Sequence, residues 1–169
     1  NDFWVIYTDS SYKDKNSLDD FPLIKNHLDK FQKIITSHNK PYGLHRARDE
    51  RFFTGEKILS LRKCVEPTFT YTNFDCYVSQ TYFSIKTDRL SLKFLTALLN
   101  STTMKFWLKY KGKMQGDIFQ VDKEPLLGMP IKMSSSIEDF SEKVDVIILF
   151  NQQLHEHKNK FNRTLQRKF

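Results

Sequence analysis

The chain of 169 residues is long enough to bury a core as one domain, and its 14% aromatic content argues against wholesale disorder. A formal charge of +7 favours a polyanionic partner. The longest apolar run, Val146 to Phe150, is too short to span a bilayer, and Cys64 and Cys76 are too isolated for a disulfide framework or a metal knuckle.

Taken in chain order, Phe3 to Thr8 is aromatic and β-branched and predicts a buried strand. Pro22 follows Asp19 and Asp20 at a plausible helix start, and Ile24, Leu28, Phe31 and Ile35 recur at helical spacing, which predicts a helix to about Ser37. Short runs of β-formers at Lys57 to Leu61, Thr68 to Thr72, Cys76 to Ser79 and Thr81 to Lys86 predict strands, with a last one at Ile118 to Val121. Leu92, Leu95 and Leu99 make one helical stripe, and Met104 to Tyr110 a second short helix. Between these helices Asn100 suits a left-handed closing position and Ser101 an N-cap. Lys111 to Gly116 reads as a basic loop, Leu126 to Ile131 as a connector. From about Ile137 a long helix carries Phe140, Ile147, Leu154 and Phe161 at heptad spacing, with Asn151 and Lys158 as polar breaks. The expected class is α+β: a small, mostly antiparallel twisted sheet flanked by helices, with a long C-terminal helix. The expected division is a domain over 1–135 and a helix over 136–169.

The basic residues are clustered. Residues 41–63 hold six basic against three acidic side chains, and residues 86–113 hold seven against one. The first cluster contains Arg46, Arg48, Arg51 and Lys57, interleaved with His45, Phe52 and Phe53. Arginine forks suit phosphate oxygens and the acceptor edge of guanine. The second contains Lys105, Lys109, Lys111 and Lys113, with Trp107 and Tyr110 among them, and Lys105 and Lys109 share one side of a helix. These eight basic residues are the candidate nucleic-acid contacts. The bland alternative for the first cluster is a solvated loop with weak ion pairs to Asp49 and Glu50, and for the second a solvated helix face. His45, His155 and His157 lack ligand partners at workable spacing, Gly112 and Gly116 fit no nucleotide-binding signature, and no nucleophile or acid/base pair stands out. No catalytic residue, cofactor site or metal site is therefore assigned. A start at Asn1, entering at once into a strand-like run, suggests a piece of a longer polypeptide.

One ordered set of residues has a family likeness. Phe21-Pro22-Leu23-Ile24 with Leu28 and Phe31 comes first. His45-Arg46-Ala47-Arg48-Asp49, Phe53 and Lys57-Ile58 follow, then Tyr82-Phe83-Ser84-Ile85, Phe94 to Ser101, and Met129-Pro130-Ile131. Over about 21–132 this order resembles the C-terminal specificity (target-recognition) domain of Taq-type adenine-specific DNA methyltransferases, including fused type II restriction-modification enzymes. Tyr42 stands near a position where the family often has Trp. The resemblance implies that duplex DNA is the partner and that a separate catalytic domain of the same polypeptide binds S-adenosylmethionine and methylates a flipped adenine. That domain's Asn-Pro-Pro-Tyr/Phe motif does not occur in these 169 residues. It further implies a bacterial or archaeal cytoplasmic setting, with no membrane. A rival from another class is a protein-interaction module that docks through the C-terminal helix.

Overall fold

A computed structural model describes residues 4–35, 37–133 and 137–168. The chain divides into two compact units, Asn1–Phe52 and Phe53–Phe169. Each builds its own local framework.

The first unit contains a 3-10 turn, Ser10–Lys13, the helix α1, Pro22–Asp29, and a second 3-10 turn, Glu50–Phe52. Asp9 caps the first turn through its side chain, which accepts from the Ser11 amide. Pro22 begins α1 as expected, where its missing N–H costs nothing. The helix stops at Asp29 rather than near Ser37. Phe31, Gln32 and Ile34 instead donate to carbonyls three residues back, tightening the chain into turns. No strand forms over residues 4–9, and Trp4 is 101% exposed. Phe3 lies outside the described residues. A strand needs a ladder partner, and among the described residues this unit has no strand to offer one. The segment is held instead by Thr8, whose hydroxyl donates to the Tyr42 carbonyl at 2.6 Å and whose carbonyl accepts from the Leu44 amide. At Gly43 an added Cβ would lie 2.6 Å from the Asp9 carbonyl oxygen, so this close approach excludes a side chain.

The second unit carries two three-stranded antiparallel sheets. The first has the order β3-β1-β4, from β1 (Lys57–Leu61), β3 (Phe69–Thr72) and β4 (Tyr82–Ile85). The other has the order β2-β6-β5, from β2 (Lys63–Cys64), β5 (Lys113–Gln115) and β6 (Ile118–Gln120). The expected basic loop after Lys111 is thus partly a strand, paired with β6 across a turn in which Gly116 has φ +61°. The expected strand over Cys76 to Ser79 is absent. That segment has no regular secondary structure, with the Cys76 amide donating to the Phe53 carbonyl and the Tyr77 ring 4.9 Å from the Phe53 ring.

Helices α2 (Leu92–Leu99) and α3 (Thr102–Lys111) start at Ser91 and Ser101, whose hydroxyls accept from the amides of Phe94 and Met104. Leu95, Leu99, Met104 and Leu108 meet Ile58, Phe69, Phe119 and Val121 in one apolar core. Asn100 does not take a left-handed conformation, since its φ is −89°. Its carboxamide accepts from the Phe69 amide at 3.0 Å and donates to the Phe69 carbonyl at 2.7 Å, pairing with β3 as another strand would. A short helix α4 (Lys123–Leu127) and the long helix α5 (Ile137–Lys168) complete the unit. The early part of α5 packs on α2: the Phe140 ring lies edge-on to Phe94 at 5.7 Å, and Lys93 pairs with Asp145 at 2.7 Å. The class is α+β with a long C-terminal helix, as its sequence pattern suggests.

Candidate nucleic-acid interface

In the first unit the arginine segment is anchored by its backbone. The Tyr7 hydroxyl donates to the Arg48 carbonyl at 2.8 Å and accepts from the Arg48 amide at 2.7 Å, so one phenol fixes both peptide groups. Arg48 is half-buried, whereas Arg46 and Arg51 are exposed. Asp49 accepts from the Arg51 amide and from its guanidinium, both at 3.0 Å, and the guanidinium lies 5.0 Å from the Phe52 ring centroid. His45 stacks at a tilt on His38, with centroids 4.6 Å apart. Tyr42 is buried and donates to Asp29 at 2.8 Å; burial first, and this bond second, push its phenol above the usual range. The segment is thus an exposed arginine display on a braced loop.

In the second unit Lys57 has another role. It is 0% exposed, and its ammonium donates to the carbonyls of Gly55 at 3.0 Å and Phe74 at 2.5 Å. A buried ammonium so held braces the turn before β1 and offers nothing to a phosphate. The same turn is tied by Asp75, which accepts from the Gly55 amide at 2.7 Å, and by Lys86, which donates to the Thr54 carbonyl at 2.8 Å. Lys57 therefore leaves the set of candidate contacts.

The lysines of α3 face outward. Met104 and Leu108 fill the buried side of that helix, which turns Lys105, Phe106, Lys109 and Tyr110 to solvent. Lys105 pairs with Glu66 at 2.7 Å across an exposed surface. Phe106 and Tyr110 are 64% and 65% exposed and stack on one another at 4.5 Å, too much apolar area at one spot for mere solvent contact to favour. Lys109 lies 5.9 Å from the Tyr110 ring, and Lys111 5.9 Å from Trp107, whose indole donates to the Pro125 carbonyl. Lys113 is exposed on β5 and only loosely approaches Asp122, at 3.9 Å. Lysine, tyrosine and phenylalanine on one helix side suit a phosphate backbone flanked by bases or sugars.

Two basic residues that the sequence patterns did not single out, Arg62 and Lys63, stand where the chain crosses from the first sheet to the second. The Arg62 guanidinium lies 4.9 Å over the Phe83 ring. Their only signal was the charge of the surrounding block, because the crossing is a tertiary feature. Cys64 and Cys76 are free and half-buried, and burial pushes the Cys64 thiol up, away from reactivity. Among the described residues no three metal-ligating side chains converge, and no helix is long and apolar enough to cross a membrane.

Comparison with known proteins places this geometry in context. Over 42 residues the chain is 36% identical to the type II methyltransferase M.HincII of Haemophilus influenzae, and it matches M.HindII of Haemophilus influenzae strain Rd equally. Those stretches cover 25% of this chain but only 8% of each relative. A family match covers far more, running over residues 9–131 and so over both units. The chain belongs to the family of TaqI-like C-terminal specificity domains.

Proposed function

We propose that this chain is the DNA target-recognition part of an adenine-specific methyltransferase or restriction-modification enzyme. It binds duplex DNA and positions the target adenine for a catalytic domain elsewhere in the same polypeptide, in a bacterial or archaeal cytoplasm. S-adenosylmethionine belongs to that catalytic domain, and no cofactor is assigned to this chain. The observation that carries the reading is the outward side of α3, where Lys105 and Lys109 flank the exposed Phe106–Tyr110 pair, in a chain that belongs to a specificity-domain family. The proposed contacts are Arg46, Arg48 and Arg51 in the first unit, and Lys105, Lys109, Lys111 and Lys113 in the second. Lysines hold phosphates and fix register; arginines add readout of base edges.

A gel-shift series on the 169-residue chain tests this. Each of Lys109→Gln and Lys111→Gln is expected to weaken binding to all duplexes alike and to lower the salt slope by about one. Unchanged affinity and slope in the double variant would remove α3 from the interface. Incubating the chain with DNA and labelled S-adenosylmethionine is expected to transfer no label, and transfer would overturn the division of labour.

One observation favours a second reading. Beyond its contact with α2, helix α5 exposes Ile147, Phe150, Leu154 and Phe161. A partner helix on that stripe, within the parent enzyme or outside it, would make this chain a protein-interaction module. Sedimentation distinguishes the two: a monomer leaves the stripe for other parts of the parent, and a defined dimer supports helix pairing.

A further inference from the structure

The second sheet has two chemically different faces, and its strand register separates them. Cys64, Met114 and Phe119 lie on one face and pack against the core. The alternation of side chains then puts Lys63, Gln120 and Lys113 together on the other face. They form a single cross-strand row, since Gln120 pairs with Lys63 on one side and with Lys113 on the other. Gln115 and Ile118 pair next along the same face. The row therefore sets one carboxamide between two ammonium groups.

Beside this face lies an open cleft of about 610 Å³, lined by Leu61, Arg62, Lys63, Gln80, Thr81 and Gln120. Its floor is fixed where the chain crosses between sheets. The Arg62 amide donates to the Thr81 carbonyl and the Arg62 carbonyl accepts from the Val121 amide, both at 2.8 Å. The Arg62 guanidinium lies 4.9 Å over the Phe83 ring, and a guanidinium on an aromatic face can still offer its N–H edge to in-plane acceptors. Gln120 donates one N–H to Asp122 at 2.9 Å, which leaves its carboxamide oxygen and the second N–H for a ligand. Lys63 reaches Gln115 at 3.4 Å across the same face.

We infer that this outward face, continued by Arg62 and Gln80 in the cleft, is the surface that reads base edges in the major groove. The inference rests on the DNA-recognition reading above and names residues for its specificity. A guanidinium fork matches guanine O6 and N7, and a glutamine carboxamide matches adenine N6 and N7. The major groove is about 12 Å wide, and the three strands β2-β6-β5, spaced about 4.8 Å apart, span about 10 Å across this face. Lys63 and Lys113, on either side of Gln120, suit the phosphates that border the groove. Arg62 thus takes guanine, and Gln120 takes adenine.

The test is a selection from duplexes with a randomised central stretch, using the 169-residue chain, with circular dichroism to confirm that each variant folds. The unaltered chain is expected to enrich a defined motif. Arg62→Lys keeps the charge but loses the fork, and should relax one G·C position by about tenfold or more. Gln120→Ala should relax a different, A·T position, while Lys63→Gln should weaken retention of all sequences alike. Enrichment of the original motif by both Arg62→Lys and Gln120→Ala would overturn the inference while leaving DNA binding intact. So would retention of duplexes by the unaltered chain with no motif enriched. Failure to retain any duplex at low salt would instead overturn the DNA-recognition reading itself, and this inference with it.

Discussion

Lys57 sits within an arginine-rich stretch of sequence, yet its ammonium is buried and satisfied by two backbone carbonyls. Charge clustering was legible; which charges point outward was not, because that depends on which carbonyls the fold leaves needing a donor. Lys57→Met should therefore cost about 1–3 kcal/mol of stability, since both carbonyls lose their donor. Urea denaturation checks this, and DNA affinity of the folded variant should be unchanged. Asn100 shows the converse: the residue was noticed, but for the wrong reason. Its carboxamide pairs with the backbone of Phe69, which lies 31 positions earlier in the chain, a separation no local pattern reveals. Asn100→Ala should destabilise the second unit by about 2–3 kcal/mol, whereas a helix-closing role alone would cost a fraction of that. Tyr71 adds a pH signature. Burial, with its 2.6 Å bond to Glu56, pushes the phenol up to about 12. Because the folded value lies above the unfolded one, this contribution is fully present below about pH 10 and is lost as pH rises through about 12. Denaturation midpoints should fall across that interval, and Tyr71→Phe should flatten the part of the fall that exceeds the contribution of Tyr42.

Elements with a strong period of their own were readable: β1, the helix pair α2 and α3 with its Ser101 cap, and the long α5. Elements that depend on a distant partner were not. The aromatic run of residues 4–8 has strand composition but no ladder to join, while Lys113–Gln115, with little β-propensity in Lys or Gln, is a strand because β6 lies beside it. Helix α5 predicts its own dynamics. Phe140, Val144 and Asp145 meet the domain or are buried by it, whereas residues 149–166 are exposed throughout. Amide hydrogen exchange should therefore be slow near residue 144 and much faster beyond residue 154. Uniform protection along α5 would show that the exposed stripe is covered, as helix pairing requires.

At the scale of the whole chain, family membership was legible from the order of short motifs, and the structure shows why that order is spread out. Phe53, Phe94, Leu95 and Leu99 are buried, and Asn100 joins α2 to β3. The proposed DNA-facing set was legible only in part: α3 stood out through its charge and aromatic spacing, while Arg62 and Lys63 became visible only when the second sheet placed Lys63 beside Gln120. The net charge of +7 is spread over several clusters, so binding should depend on multiple phosphate contacts. DNA recognition by this chain is tested most directly by its affinity for duplex DNA as a function of salt. Binding is expected at low salt and should weaken steeply, with a log–log slope of about −0.9 for each phosphate contact, and therefore several units in all. No binding at low salt, or an affinity indifferent to salt, would contradict it.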